Sequence, residues 1–243
     1  MTPNRSNVLK RVLLAAVGLL HPATGEAAEP APKSIVDYYR QVPEALFPNQ
    51  HKGELTRTKK GWITHSTQTD EELPVTVDIQ NGFIEFVDEG TGGGTGTLQA
   101  ALFLKENKSS LFGINESSSD GVTAEGKLVF IARDGGHFKD VTAEVLPKLR
   151  VEDFIDARCM ALLQKSYRDS VGPKEILFKL PRQGTTIQAR VPLFSHFFVE
   201  GTPEKDAQSC MSAGARELPW DAKAGKFSLA PAPKGGGSAG KAP

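Results

Sequence analysis

A chain of 243 residues with 29 basic and 29 acidic side chains has no formal net charge at neutral pH. Residues 1–27 hold Arg5, Lys10, Arg11 and Glu26, so the remainder carries a slight acidic excess. That balance argues against a nucleic-acid binder, which would carry a basic excess or stripe, and the short run Arg57, Lys59, Lys60 reads as a solvated hairpin edge.

The first 27 residues read as a signal peptide. Arg5, Lys10 and Arg11 precede an apolar stretch from Val12 to Leu20, and the small residues Ala23, Gly25, Ala27 and Ala28 follow. A membrane anchor would need roughly 20 apolar residues as a helix, and Pro22 ends this run far short of that. Residues 28–33 read as a spacer and 34–229 as one domain. The tail 230–243 holds only Ala, Pro, Gly, Ser and Lys, a composition that cannot offset its ordering entropy. The expected location is the periplasm or the outside of the cell, with no transmembrane span once the signal is removed. In such a compartment the two cysteines, Cys159 and Cys210, are expected to bond.

Ser34 and Asp37 have the spacing of a capping pair. Ile35, Tyr38, Tyr39, Val42 and Leu46 then fall on one helical face, so a helix is expected over Ser34–Leu46, kinked or ended by Pro43. From about Gly61 to Val145 the period changes to two. Val75, Val77 and Ile79 alternate with polar residues up to Asn81-Gly82, and Phe83–Val87 returns, a hairpin signature. Leu98–Leu104 with Ser110–Ile114, and Leu128–Ala132 with His137–Val141, are read as two further hairpins. A single amphipathic helix is expected from Val151 to Tyr167, with Cys159 inward and Gly172-Pro173 as its stop.

Beyond it, Glu175–Leu180 and Thr185–Val191 read as strands, and Leu193–Val199 as another. Thr202–Arg216, which holds Cys210, reads as a polar loop. Leu218–Asp221 and Lys226–Leu229 read as a last hairpin. Unequal spacing of the hairpins favours a meander over an internal repeat. The expected fold is α+β: mainly antiparallel hairpins, an N-terminal helix and one inserted helix.

No motif carries chemistry by itself. Gly90–Thr97 is glycine-rich but lacks the Lys-Ser/Thr ending of a phosphate loop and leads into a strand, so it reads as a connecting loop beside Glu85, Asp88 and Glu89. Asn115–Gly121 is rich in oxygen ligands, yet Glu125 is not at calcium-loop spacing. No two histidines have zinc-site spacing, and neither a metal nor a cofactor is expected. Ser195, His196 and Glu200 bring nucleophile, base and acid types together, but neighbours on a strand face opposite ways. Phe194, Phe197 and Phe198 occupy both parities of that expected strand, as core or as a ligand patch.

The resulting expectation is a non-enzymatic binding module for an unidentified protein or small ligand. Its rival is an exported hydrolase drawing on scattered residues, with Glu85, Asp88, His137, His196 and Glu200 as candidates. The intact mass of the native protein is expected to lack the residues up to Gly25 or Ala27. Recovery of the full-length mass from cytoplasm would overturn the export reading.

Overall fold

The computed structural model describes residues 31–66, 69–90, 92–170 and 176–231. The expected signal peptide, the Gly172-Pro173 stop and the tail beyond Pro231 lie outside the described residues. A helix, α1, spans Ile35–Gln41, and a 3-10 turn follows at Glu44–Leu46. Ser34 Oγ accepts the Asp37 N–H at 3.2 Å, and the Asp37 carboxylate accepts the Ser34 N–H at 3.0 Å. The helix is shorter than the sequence suggests. Val42 already has extended backbone, the conformation that a residue before proline favours.

Eight strands then form one antiparallel sheet in strict chain order. They are β1 (Thr56–Thr58), β2 (Gly61–His65), β3 (Glu72–Asp78), β4 (Phe83–Asp88), β5 (Thr95–Leu104), β6 (Ser110–Ser119), β7 (Ala124–Asp134) and β8 (His137–Asp140). The Asn81-Gly82 turn joins β3 to β4. Gly82 has φ +64°, and a Cβ there would lie 3.1 Å from the Leu102 Cβ. Its carbonyl accepts the Leu102 N–H at 2.9 Å, so the turn also packs on β5. The glycine pair Gly135-Gly136, φ +54° and +94°, closes β7 onto β8 as a two-residue turn.

Strand alternation divides the sheet's apolar residues into two cores. Ile84, Ala100, Phe112, Ile114 and Ile131 face α1, where Tyr38 stacks on Phe112 with ring centroids 5.7 Å apart. Phe83, Ala101, Phe103, Leu111 and Phe130 face the opposite way, packed with residues from 141–163 and 176–227. Because β5 and β6 are covered on both sides, their central residues are buried at both parities.

The C-terminal layer departs most from expectation. Helix α2 (Thr142–Val145) leads to a segment that is broken where a single helix was expected. A 3-10 turn (Val151–Asp153), α3 (Ala157–Leu162) and α4 (Lys165–Ser170) replace it. Asp156 accepts the Cys159 N–H at 2.7 Å as the α3 cap, which forces its own backbone out of the helix. Leu163 is extended and bridges Phe198. Leu193–Val199 is therefore not a strand: Ser195–Phe197 forms a 3-10 turn held against Leu163.

The expected strand pair is present as β9 (Leu177–Lys179) and β10 (Ile187–Arg190). The expected polar loop is instead a helix, α5 (Glu204–Ala213). Its buried residues are Ala207 and Cys210, with Met211 partly buried against the same core, too little apolar periodicity to mark it in sequence. The Cys159–Cys210 disulfide joins α5 to α3, with Cα atoms 5.5 Å apart. Strand β11 (Ala215–Leu218) pairs with β10, so the last hairpin is the smaller pair β12 (Trp220–Asp221) and β13 (Lys226–Phe227).

That hairpin docks on the sheet through aromatic rings. Phe227 lies 5.0 Å from Phe103 and 4.9 Å from Phe130 between ring centroids, and Trp220 Nε1 donates to the Leu104 carbonyl at 2.9 Å. Gly113 makes room for this cluster: a Cβ there would lie 2.8 Å from Phe130 Cε1 and 3.3 Å from Phe103 Cε2. Gly113→Ala is expected to cost about 1–3 kcal/mol by overpacking, a loss of roughly 2–4 °C of thermal midpoint per kcal/mol for a chain of this size. An unchanged midpoint in calorimetry would overturn the packing account.

Candidate functional site

The long strands β5, β6 and β7 run past the layers that cover their centres. Ala100 and Ile114 are fully buried, whereas Thr95 and Ser118 near the uncovered end are exposed. A groove of about 1510 Å³ wraps this end of the sheet. Register builds its floor. On the α1 side, Phe86, Leu98, Glu116 and Lys127 are successive cross-strand partners and form one row. Asp88, Gly96, Ser118 and Glu125 form the next row outward. All eight line the groove, and His51, Gly53 and His65 rise beside them.

The opposite side has a different chemistry. Thr97, Ser117 and Gly126 form one row, and Thr95, Ser119 and Ala124 the next. Leu149, Ile176 and Phe178 stand over these hydroxyls. Gly126 sets how closely they approach: a Cβ there would meet Leu177 Cδ2 at 2.9 Å and the Ile176 carbonyl at 3.3 Å. A buried amide network fixes the same wall. Gln99 Oε1 accepts the Leu180 N–H at 2.9 Å, and Asn115 Nδ2 donates to the Phe178 carbonyl at 2.8 Å. Gln99 Nε2 donates to Glu85 at 2.6 Å, so Glu85 serves the anchoring of β9.

The basic side chains Lys127, His65 and His51 on the α1 side have partners outside the groove floor. Lys127 Nζ donates to the Pro48 carbonyl. His65 Nδ1 lies 3.2 Å from the Asp70 carbonyl, and His51 lies 3.7 Å from Glu44. Asp88 is also engaged, accepting from Ser66 Oγ at 2.7 Å and from the Gly90 N–H at 3.0 Å. It thereby ties the start of the glycine-rich segment to the β2–β3 connection. Glu116 differs: its Oε2 is buried and has no hydrogen-bond partner. Nearby, burial and then the Glu116 charge push the Tyr39 hydroxyl far above its ordinary pKa, and that hydroxyl donates to the Gly53 carbonyl at 2.9 Å.

The residues singled out from sequence do not converge. Glu85 and Asp88 lie at opposite parity on β4, toward opposite faces, although both border a shallow depression along β3 and β4. His137 is exposed beside the Gly135-Gly136 turn. Ser195 and His196 are exposed on the 3-10 turn, and Glu200 is exposed beyond it. The three phenylalanines have packing roles. Phe198 is buried, Phe197 stacks on Tyr167 at 3.8 Å, and Phe194 packs edge-on against Phe197 at 5.4 Å.

Asn115–Ser119 belongs to β6, so most of the oxygen-rich segment is strand. Asp120 Oδ1 accepts from the Thr123 and Val122 backbone N–H groups at 2.6 and 2.8 Å, closing the β6–β7 turn. Among the described residues, no three His, Cys, Asp or Glu side chains gather as a metal site. Glu116, Ser117, Ser118 and Gly96 escaped the sequence reading as site residues. Strand register sets Gly96 opposite Ser118, and no local spacing encodes that pairing.

No protein-family model and no curated protein matches this chain. Among solved structures it is similar to a domain of an uncharacterized protein from Porphyromonas gingivalis W83. The identity is 15%, 73% of this chain and 80% of that chain are covered, and the TM-score is 0.44. A likeness at that level carries no argument about function.

Two turn carboxylates give the sheet an acid-sensitive component. The Asn81 side chain, then Arg182, hold Asp78 below the usual aspartate range, and the Thr123 and Val122 N–H groups do the same for Asp120. A folded pKa below the unfolded value of about 4 gives stability that is full above that value and is lost as pH falls through the folded one. The variant Asp78→Asn/Asp120→Asn is expected to lose less stability than wild type between about pH 5 and pH 2 in urea titrations. Parallel acid limbs for the two proteins would contradict this.

Proposed function

We propose that this protein is an exported, non-enzymatic binding module whose ligand or partner occupies the groove at the uncovered end of β4–β7. The observation that carries the reading is the groove floor, two register-aligned rows on each face of the sheet, charged toward α1 and hydroxyl-rich on the other face, with Lys148 and Arg150 also lining the groove. Grooves of this kind place a few polar groups among apolar walls, the usual composition of ligand sites. Hydrolysis needs a nucleophile or base, an acid and a polarising group around one bond. The scattering of Glu85, Asp88, His137, His196 and Glu200 favours binding over an exported hydrolase.

Export is supported by the N-terminal sequence and by the Cys159–Cys210 bond, of a kind that persists in oxidising compartments. Among the described residues, no helix is long and apolar enough to cross a membrane.

Filling the groove tests the reading. Ser118→Trp obstructs the α1 side and Ser117→Trp the hydroxyl side. Quantitative co-purification from envelope extract is expected to show material enriched on wild type and reduced at least tenfold on one of these variants, at unchanged thermal midpoint. Equal recovery on all three proteins would refute the groove as the site. Turnover of ester, peptide or glycoside substrates that Asp88→Asn abolishes would instead establish the hydrolase.

A further inference from the structure

Lys148 and Arg150 also line the groove, Arg150 lying 3.7 Å from Asp153, but neither forms an ion pair with Glu116 within 4.0 Å. Lys127, the cation opposite Glu116 in register, donates to the Pro48 carbonyl and makes no ion pair with it within 4.0 Å. The Tyr39 hydroxyl is given to the Gly53 carbonyl. His51 and His65 have Glu44 and Asp70 beside them. Both oxygens of Asp88 are occupied by Ser66 and Gly90. Glu116 is therefore a groove carboxylate with one buried oxygen lacking a donor, next to Leu98 and Phe86 in the same row. A buried acceptor without a donor is unfavourable, and more so when charged. Low-dielectric walls strengthen its attraction for a cation.

We infer that Glu116 is the anchoring residue of a subsite for an organic cation, an ammonium or guanidinium group carried on an apolar body. The cationic head pairs with the Glu116 carboxylate from the groove, and the body lies along Leu98 and Phe86. A divalent metal ion fits less well, because among the described residues no cluster of three ligating side chains surrounds this carboxylate. Gly96 leaves the neighbouring position of the outer row open: a Cβ there would meet only the Asp88 carbonyl, at 3.8 Å. The body can therefore extend over Gly96 toward Ser118. The inference rests on the groove reading and adds the ligand's charge and shape to it.

Three probes of equal size separate the contributions: benzylamine, benzyl alcohol and benzoate, each titrated into the purified full chain and followed by amide chemical shifts. Benzylamine is expected to shift Phe86, Leu98, Glu116 and Ser118 and to bind at least tenfold more tightly than the alcohol, with benzoate weakest. Glu116→Gln is expected to remove that tenfold preference. Because a substitution at a half-buried position can disturb folding, Ser118→Lys provides a second variant. Ser118 is exposed and lies two residues along the same face, so its ammonium competes for Glu116 and should weaken benzylamine alone.

Amine and alcohol binding equally in the groove would overturn the cation subsite and leave the groove reading standing. Benzylamine shifts that map elsewhere, or that survive in both variants, would overturn it too. If no probe moves a groove resonance at tens of millimolar, the subsite is refuted, and the co-purification comparison decides the groove reading separately.

Discussion

Burial of β5 and β6 on both faces is the constraint on which the rest of this structure depends. A strand covered on one side can alternate apolar and polar residues. A strand covered on both sides keeps a polar group at a cost that hydrogen bonds must offset. The sheet keeps Gln99 and Asn115, both almost wholly buried. Gln99 Oε1 accepts the Leu180 N–H just past β9, and Asn115 Nδ2 donates to the Phe178 carbonyl within it, while Asn115 Oδ1 has no partner. The polar residues in the covered zone thus specify where the C-terminal layer docks. Apolar residues at these positions would stabilise contact without fixing its register.

The same constraint produces the groove. The two covering layers end before the strands do, so the outermost residue pairs of β5, β6 and β7 project beyond them. There the sequence turns from Ala100, Ala101, Phe112 and Ile114 to Thr95, Gly96, Thr97 and Ser117–Ser119. Hydroxyls and glycine suit a surface that must stay wet without collapsing. The lysine and histidines of the α1 side are held by the chain around them.

The C-terminal layer that walls the groove has few regular elements, and covalent closure offsets that. A disulfide spanning 51 residues removes about 4 kcal/mol of unfolded-chain entropy in the loop-closure model. Arg158 adds polar contacts across the same junction, reaching Asp206 at 3.4 Å and Ser209 at 3.2 Å. The first contact is an exposed ion pair, and such pairs contribute about 0–1 kcal/mol. The covalent link therefore dominates the attachment of α5.

Local pattern determined much of this protein. Period-two runs and the turn pairs Asn81-Gly82 and Gly135-Gly136 marked the hairpins that became β3–β8, because alternation and positive φ are properties of neighbouring residues. The Ser34–Asp37 cap was legible for the same reason, and the pairing of Cys159 with Cys210 followed from there being only two cysteines. Tertiary structure alone decided the rest. It broke the segment after Val151, since Leu163 bridges Phe198, and it made Glu204–Ala213 a helix that its weak apolar face did not announce. It also gave Glu85 to Gln99 and Phe197 to Tyr167, and so separated the residues that looked chemical. The groove rows lie furthest from the sequence: Phe86, Leu98, Glu116 and Lys127 span four strands, and they share a surface only because register, a long-range property, aligns them.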